Sequence, residues 1–248
     1  MRGILAVLII AIAMAGCSGN DEKDAFIRDV TEAYEKAQKS MDNGNYRRAI
    51  QIYEGLLARF PFSDLSKQIQ LELMYAYYKS GSQEQAISAA DQFLRENPTH
   101  PRVDYAVYVK GLAYFEDNPG VLERVFRKKI DGRPPRDGEL AFSTFSRLVE
   151  RYPASEYAED SRQRMIYLKN RLAAYENSVA RYYIKTNAYV AALNRAKGAL
   201  EKYNGADSNP ESLKIMIKAY EGLGMTDLAN DTRRVLESNG SCGEGRGR

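Results

Sequence analysis

The chain has 248 residues, enough for one elongated domain or two compact ones. Its 36 Lys and Arg against 33 Asp and Glu leave a nearly neutral field, which gives no case for nucleic acid as a partner. Two cysteines and a single histidine supply neither a disulfide framework nor a set of nitrogen and sulfur ligands for zinc within a monomer.

In chain order, Met1, Arg2 and Gly3 make a short positive start, and residues 4–15 run without a polar side chain. A membrane-spanning helix needs about 20 apolar residues, whereas export signals use roughly 7–15. Residues 1–16 therefore read as a cleaved export signal. Ala15 and Gly16 are small and precede Cys17, with Met14 at the position that usually holds Leu; the stretch resembles the bacterial lipobox. That resemblance implies that Cys17 becomes the lipidated first residue, carrying a diacylglycerol thioether and an N-acyl chain as the only covalent additions. Ser18, rather than Asp, after the cysteine implies the outer membrane. Residues 17–32 then form a lipidated amino terminus and polar linker.

One spacing organises the rest of the chain. Ala49, Tyr53, Leu56 and Pro61 stand at offsets 0, 4, 7 and 12, as do Ala86, Ala90, Phe93 and Pro98, and Ala141, Phe145, Leu148 and Pro153. A fourth copy is Ala192, Ala196, Ala199 and Asn204, and a weaker fifth keeps Ala229 and Leu236. These offsets place small and apolar side chains on one helix face, which proline then ends. Five residues before four of the leading alanines stand Gly44, Gly81, Asn187 and Gly224, suited to left-handed caps of a preceding helix. Nine residues before three of them stand Tyr77, Tyr183 and Tyr220. Two antiparallel helices per unit with a small residue at the crossing is the tetratricopeptide arrangement, so the fold expected is an all-α solenoid of about five helix-turn-helix units.

The units divide into an amino-terminal set over 33–154 and a carboxy-terminal set over 155–237, because helical spacing continues unbroken from Glu156 to about Lys185. An insertion at about 116–138 carries six basic residues and one acidic residue between Arg124 and Arg136. It is either a solvated loop or a contact for an acidic partner or phospholipid head groups. Residues 238–248, "SNGSCGEGRGR", lack apolar periodicity and read as a disordered tail, with Cys242 either incidental or half of an intermolecular bond.

No enzyme chemistry is legible, and no catalytic or metal-binding residue is assigned. His100 lies in the turn "NPTHP", and carboxylates such as Glu32, Glu35, Glu84, Glu159 and Asp160 fall on polar helix faces. The concave positions of the tetratricopeptide family map onto Tyr34, Gln38 and Met41, then Gln68, Leu71, Tyr75 and Tyr78, then Tyr105, Tyr108, Leu112 and Phe115. The small crossing residue is matched by Ala37, Gly111 and Ala180, but Met74 and Ile217 replace it in two units. Each ring is thus open to either reading, packed core or groove. As a groove, the set suits an extended peptide with aromatic and apolar side chains.

The stretches "RFPFSDLSKQIQLELMYAYYKSG", "NPTHPRVDYAVYVKGL", "AFSTFSRLVERYP" and "LKNRLAAYENSVARYYIKTNAYVAALNR", in that order, closely resemble the BamD/ComL family of outer-membrane assembly lipoproteins. The resemblance implies a non-enzymatic scaffold of the β-barrel assembly machinery, tethered at the periplasmic face through Cys17. Its implied partners are the POTRA domain of BamA nearest the membrane, other Bam lipoproteins where present, and the aromatic-ending carboxy-terminal signals of unfolded outer-membrane proteins. Tyr34, Tyr75, Tyr78, Tyr105 and Tyr108 would line the peptide groove, and Arg195 matches the family's BamA-facing arginine. A rival reading, a tetratricopeptide lipoprotein organising cell-wall synthesis, calls for a coiled-coil trimerisation segment or a sugar-binding module, and the sequence carries neither.

Overall fold

The computed structural model describes residues 18–115 and 136–243. Ten helices and no strand occur among them: α1 (Ser18–Asp42), α2 (Tyr46–Arg59), α3 (Ser66–Lys79), α4 (Gln83–Glu96), α5 (Val103–Phe115), α6 (Arg136–Arg151), α7 (Ala158–Lys185), α8 (Tyr189–Lys202), α9 (Asn209–Gly222) and α10 (Thr226–Gly243). The chain divides into two compact units, Met1–Thr99 and His100–Arg248. In the first, each of α1 to α4 packs on the next; in the second, α5 to α10 do the same, and α7 also reaches α9. The parting read from the length of α7, at 154–155, falls inside the second unit, because α6 packs on both α5 and α7. The fold is of the all-α tetratricopeptide-repeat class.

The repeat spacing is the buried face. Ala49, Tyr53 and Leu56 on α2, Ala86, Ala90 and Phe93 on α4, Ala141, Phe145 and Leu148 on α6, and Ala192, Ala196 and Ala199 on α8 are all buried. Each larger side chain withdrawn from water contributes about 1.5–3 kcal/mol, which outweighs the weak preference of short helices to form alone. The alanines let the backbones approach. Tyr77 packs on the Ala49, Tyr53 and Leu56 cluster, and Tyr183 packs on Ala180, Ala192 and Ala196.

The first helices of four pairs end alike. Gly44, Gly81, Asn187 and Gly224 have φ of +70°, +78°, +56° and +73°. In each the next residue's N–H reaches back five residues: Asn45 to the Ser40 carbonyl at 2.8 Å, and Ser82 to Tyr77, Ala188 to Tyr183 and Met225 to Tyr220 at 2.9 Å. This is the Schellman closure, which satisfies carbonyls that a helix end leaves orphaned. Second helices end differently: the N–H groups of Phe60, Asn97 and Tyr152 bond the carbonyls of Leu56, Phe93 and Leu148 at 2.8 Å, and Pro61, Pro98 and Pro153 follow with no N–H to continue. In the fourth copy, where Asn204 replaces proline, Gly205 turns the chain at φ +73°.

At one crossing the fit is close. A Cβ on Gly111 would stand 2.5 Å from Cε1 of Phe145, so α5 and α6 approach as they do only because that position has no side chain. Met74 and Ile217 occupy the corresponding places in other units and are themselves buried.

Polar side chains fasten α7. Asn177 is buried; its Nδ2 donates to the Ser208 carbonyl at 3.0 Å, and its Oδ1 accepts from the Ser212 hydroxyl at 2.8 Å. One heptad earlier, Asn170 donates to Asp207 Oδ2 at 2.6 Å and accepts the Asp207 N–H at 3.0 Å. Together they tie the long helix to the loop entering α9.

The ends are more helical than expected. α1 begins at Ser18, inside the segment 17–32 read as a linker, and α10 runs through Gly243, inside the segment read as a disordered tail. Cys17 and most of the basic insertion, residues 124–135, lie outside the described residues, and α6 begins at Arg136.

Candidate binding surfaces

Among the described residues no group of His, Cys, Asp and Glu could hold a metal ion, and no helix is long and apolar enough to cross a membrane. His100 accepts the backbone N–H of Arg102 through Nδ1 at 3.2 Å, the geometry of a turn cap. What the helices present instead are aromatic faces, one set in each unit.

In the first unit, Tyr34 on α1 is half-buried, its ring 6.1 Å from that of Tyr53 and tilted by 50°, and its hydroxyl accepts from Gln38 Nε2 at 2.7 Å. Burial, and after it the negative charge of Glu72, pushes the Tyr34 hydroxyl up from its ordinary pKa. Tyr75 and Tyr78 lie 6.1 Å apart on α3. Beside them opens a cleft of about 300 Å³ lined by Gln38, Met41, Asp42, Tyr46, Tyr53, Glu72, Tyr75 and Lys79. Leu71, placed in the groove by the tetratricopeptide family's concave positions, is core instead. The first unit thus brings Tyr34, Tyr75 and Tyr78 to neighbouring helices, with Tyr75 at the cleft.

In the second unit the rings are already taken up. Tyr157, the residue before α7, stacks on Tyr108 at 4.7 Å and 19°, and lies 5.5 Å from Tyr105. The Arg102 guanidinium covers Tyr105 at 4.6 Å and donates to the Tyr157 hydroxyl at 3.2 Å. Tyr108 donates to Asp160 Oδ2 at 2.7 Å, and the same oxygen accepts Arg164 Nε at 2.6 Å. Arg164 in turn lies 4.7 Å over Phe115, whose ring meets Phe145 and Tyr167. This ladder ties α5 to the start of α7. Tyr105 and Tyr108 are therefore held by their own unit, and Leu112 is core. Burial, reinforced by the bond to Asp160, pushes the Tyr108 hydroxyl up to about 12. Burial alone would raise the Asp160 carboxyl, but the hydrogen bonds from Arg164 and Tyr108 and the Arg164 charge hold it below its usual value.

Arg195, on α8, places Nη1 3.1 Å and 3.3 Å from the two carboxylate oxygens of Glu176 on α7. Glu176 is 14% exposed and Arg195 46% exposed, so one edge of the guanidinium is anchored while much of it faces outward. Spacing arguments could not supply Glu176, which lies 19 residues away on the preceding helix of the pair.

The family model for YfiO, outer membrane lipoprotein, matches residues 28–236. The chain belongs to the YfiO family. Among curated relatives, the outer membrane protein assembly factor BamD of Neisseria meningitidis serogroup A is 40% identical over 244 residues, covering 96% of this chain and 91% of the relative. That of Vibrio cholerae is 34% identical over 241 residues, covering 96% and 97%. Among solved structures, a tetratricopeptide-repeat protein of Thermus thermophilus is similar at 16% identity and a TM-score of 0.37, covering 84% of this chain and 89% of that one. The YfiO match spans every helix pair, including both aromatic sets and Arg195.

Proposed function

We propose that this protein is a non-enzymatic scaffold of the outer-membrane β-barrel assembly machinery, held at the periplasmic face of the outer membrane by lipid on Cys17. The observation that carries the reading is full-length similarity to outer membrane protein assembly factors named BamD in species as separate as Neisseria and Vibrio. A scaffold also suits an architecture built of helix pairs.

Within that role the second unit docks a BamA-type barrel protein through its POTRA domain, with Arg195 as an anchor. A guanidinium oriented by a carboxylate behind it meets a partner's carboxylate at little ordering cost, which supports a hot-spot role. Other Bam lipoproteins join where the organism has them. The first unit, with Tyr34, Tyr75 and Tyr78, receives the carboxy-terminal signals of unfolded outer-membrane proteins; Tyr105 and Tyr108 contribute the edges of a preformed ladder. Mature-chain mass spectrometry tests the anchor: an acylated amino-terminal Cys17 supports it, and an unmodified residue at another position refutes it.

A further inference from the structure

Tyr53 is fully buried, yet its hydroxyl has no hydrogen-bond partner. It lines the cleft of the first unit together with Asp42, Tyr46, Glu72, Tyr75 and Lys79. Two carboxylates against one ammonium leave the lining net negative. Glu72 accepts one bond, from Gln68 to Oε1 at 2.6 Å. Both carboxylates lie close enough to act on the Tyr53 hydroxyl, which burial first and then the Glu72 charge keep protonated. Lys79 Nζ stands 5.8 Å from the centre of the Tyr46 ring, so one tyrosine face of this cleft already attracts a cation.

We propose that this cleft binds the guanidinium group of an arginine side chain carried by an extended polypeptide. Its carboxylates on Asp42 and Glu72 are acceptors, the Tyr53 hydroxyl that both charges reach is buried with no partner of its own, and a guanidinium has five N–H donors in one plane and no acceptor. With Lys79 already beside Tyr46, the remaining ring of the lining, Tyr75, suits a flat, weakly hydrated cation better than a compact ammonium. A carboxylate would meet two carboxylates and a single lysine, so the cleft takes a basic side chain within the received segment and leaves that segment's terminal carboxylate outside it. That the arginine arrives on an extended polypeptide rests on the receiving role proposed above; the choice of cation rests on the cleft alone.

The test uses the purified full-length lipoprotein in detergent and a labelled capped pentapeptide, acetyl-Gly-Ser-Arg-Ser-Gly-amide, with its citrulline counterpart, read by fluorescence polarisation. Citrulline keeps the shape and removes the charge. The arginine peptide should bind at least tenfold more tightly than the citrulline peptide. Glu72→Gln should weaken it about 10- to 100-fold, the range for a hydrogen bond to a charged group. Tyr53→Phe, which keeps the ring in the core, should weaken it several-fold, with an unchanged melting curve. Equal binding of the two peptides, no arginine-peptide binding up to millimolar concentration, or indifference to Glu72→Gln would overturn the assignment. So would tighter binding of a peptide with a free carboxy terminus that is lost in Lys79→Met. Co-purification with the barrel partner is scored separately: retained association with no arginine preference sinks the cleft assignment and leaves the scaffold role standing.

Discussion

Replacing Arg195 by Glu separates an interface role from a structural one. In the isolated protein Arg195 is 46% exposed, and a solvated ion pair of this kind contributes about 0–1 kcal/mol. Reversal removes that attraction and sets two carboxylates side by side, a further cost of the same order. The total, about 1–2 kcal/mol, corresponds to a fall in Tm of roughly 2–8 °C for a protein of this size. At an interface the arithmetic differs, because an anchoring arginine contributes about 2 kcal/mol or more, and losing it weakens affinity about 30-fold. Circular dichroism melts of Arg195→Glu and Glu176→Gln, with calorimetric titration of each against the periplasmic part of a BamA-type protein, read both quantities. The expected pattern is a small Tm shift in both variants and a large affinity loss only in Arg195→Glu. An affinity within twofold of the parent, or a Tm loss well beyond 10 °C, would rule out an interface role for Arg195 that is separate from a structural one.

Gly111→Ala forces a methyl group to within 2.5 Å of the Phe145 ring and should cost about 1–3 kcal/mol, with partial rescue by Phe145→Leu; an unchanged melt would show that the crossing has room for a methyl group after all. Asn177→Ala leaves the buried Ser212 hydroxyl without its Asn177 bond and should cost about 1–3 kcal/mol, read as a lower denaturation midpoint, whereas a neutral outcome would mean that α7 and α9 do not depend on this contact. Asp160 has a folded pKa below its unfolded value near 4, so its stabilising contribution is present above about pH 4 and lost as the pH falls through the folded value. Tyr108, raised to about 12, contributes below about pH 10 and loses that contribution between about pH 10 and 12. Asp160→Asn should therefore flatten the acid limb of Tm against pH, and a limb parallel to the parent's would contradict the assignment.

The repeat was legible because burial of one helix face imposes a period that survives in side-chain size: every position at the 0, 4 and 7 offsets of the first four copies is core. The caps were legible because positive φ selects Gly and Asn at Gly44, Gly81, Asn187 and Gly224. Polar fastening was not. Spacing assigns Asp160 to a polar face, and beyond its helical neighbour Arg164 it gains the Tyr108 hydroxyl only through the docking of α5, while Asn177 finds its partners only in the loop entering α9 and in Ser212. The rings could not be sorted between core and groove for the same reason: Tyr108 is held by Tyr157, which lies beyond the insertion in sequence. Helix ends at Ser18 and Gly243 were missed because a helix already fixed by packing extends into residues that would not form one alone. Arg195 was found through family resemblance, and its orientation by Glu176 needed the structure.

The scaffold role is tested most directly by isolating the tagged, lipidated protein from native envelopes in mild detergent and identifying what accompanies it. A BamA-type β-barrel protein should accompany it in near-stoichiometric amount, diminished by Arg195→Glu. Clean recovery of the lipoprotein without any such partner would contradict the scaffold role.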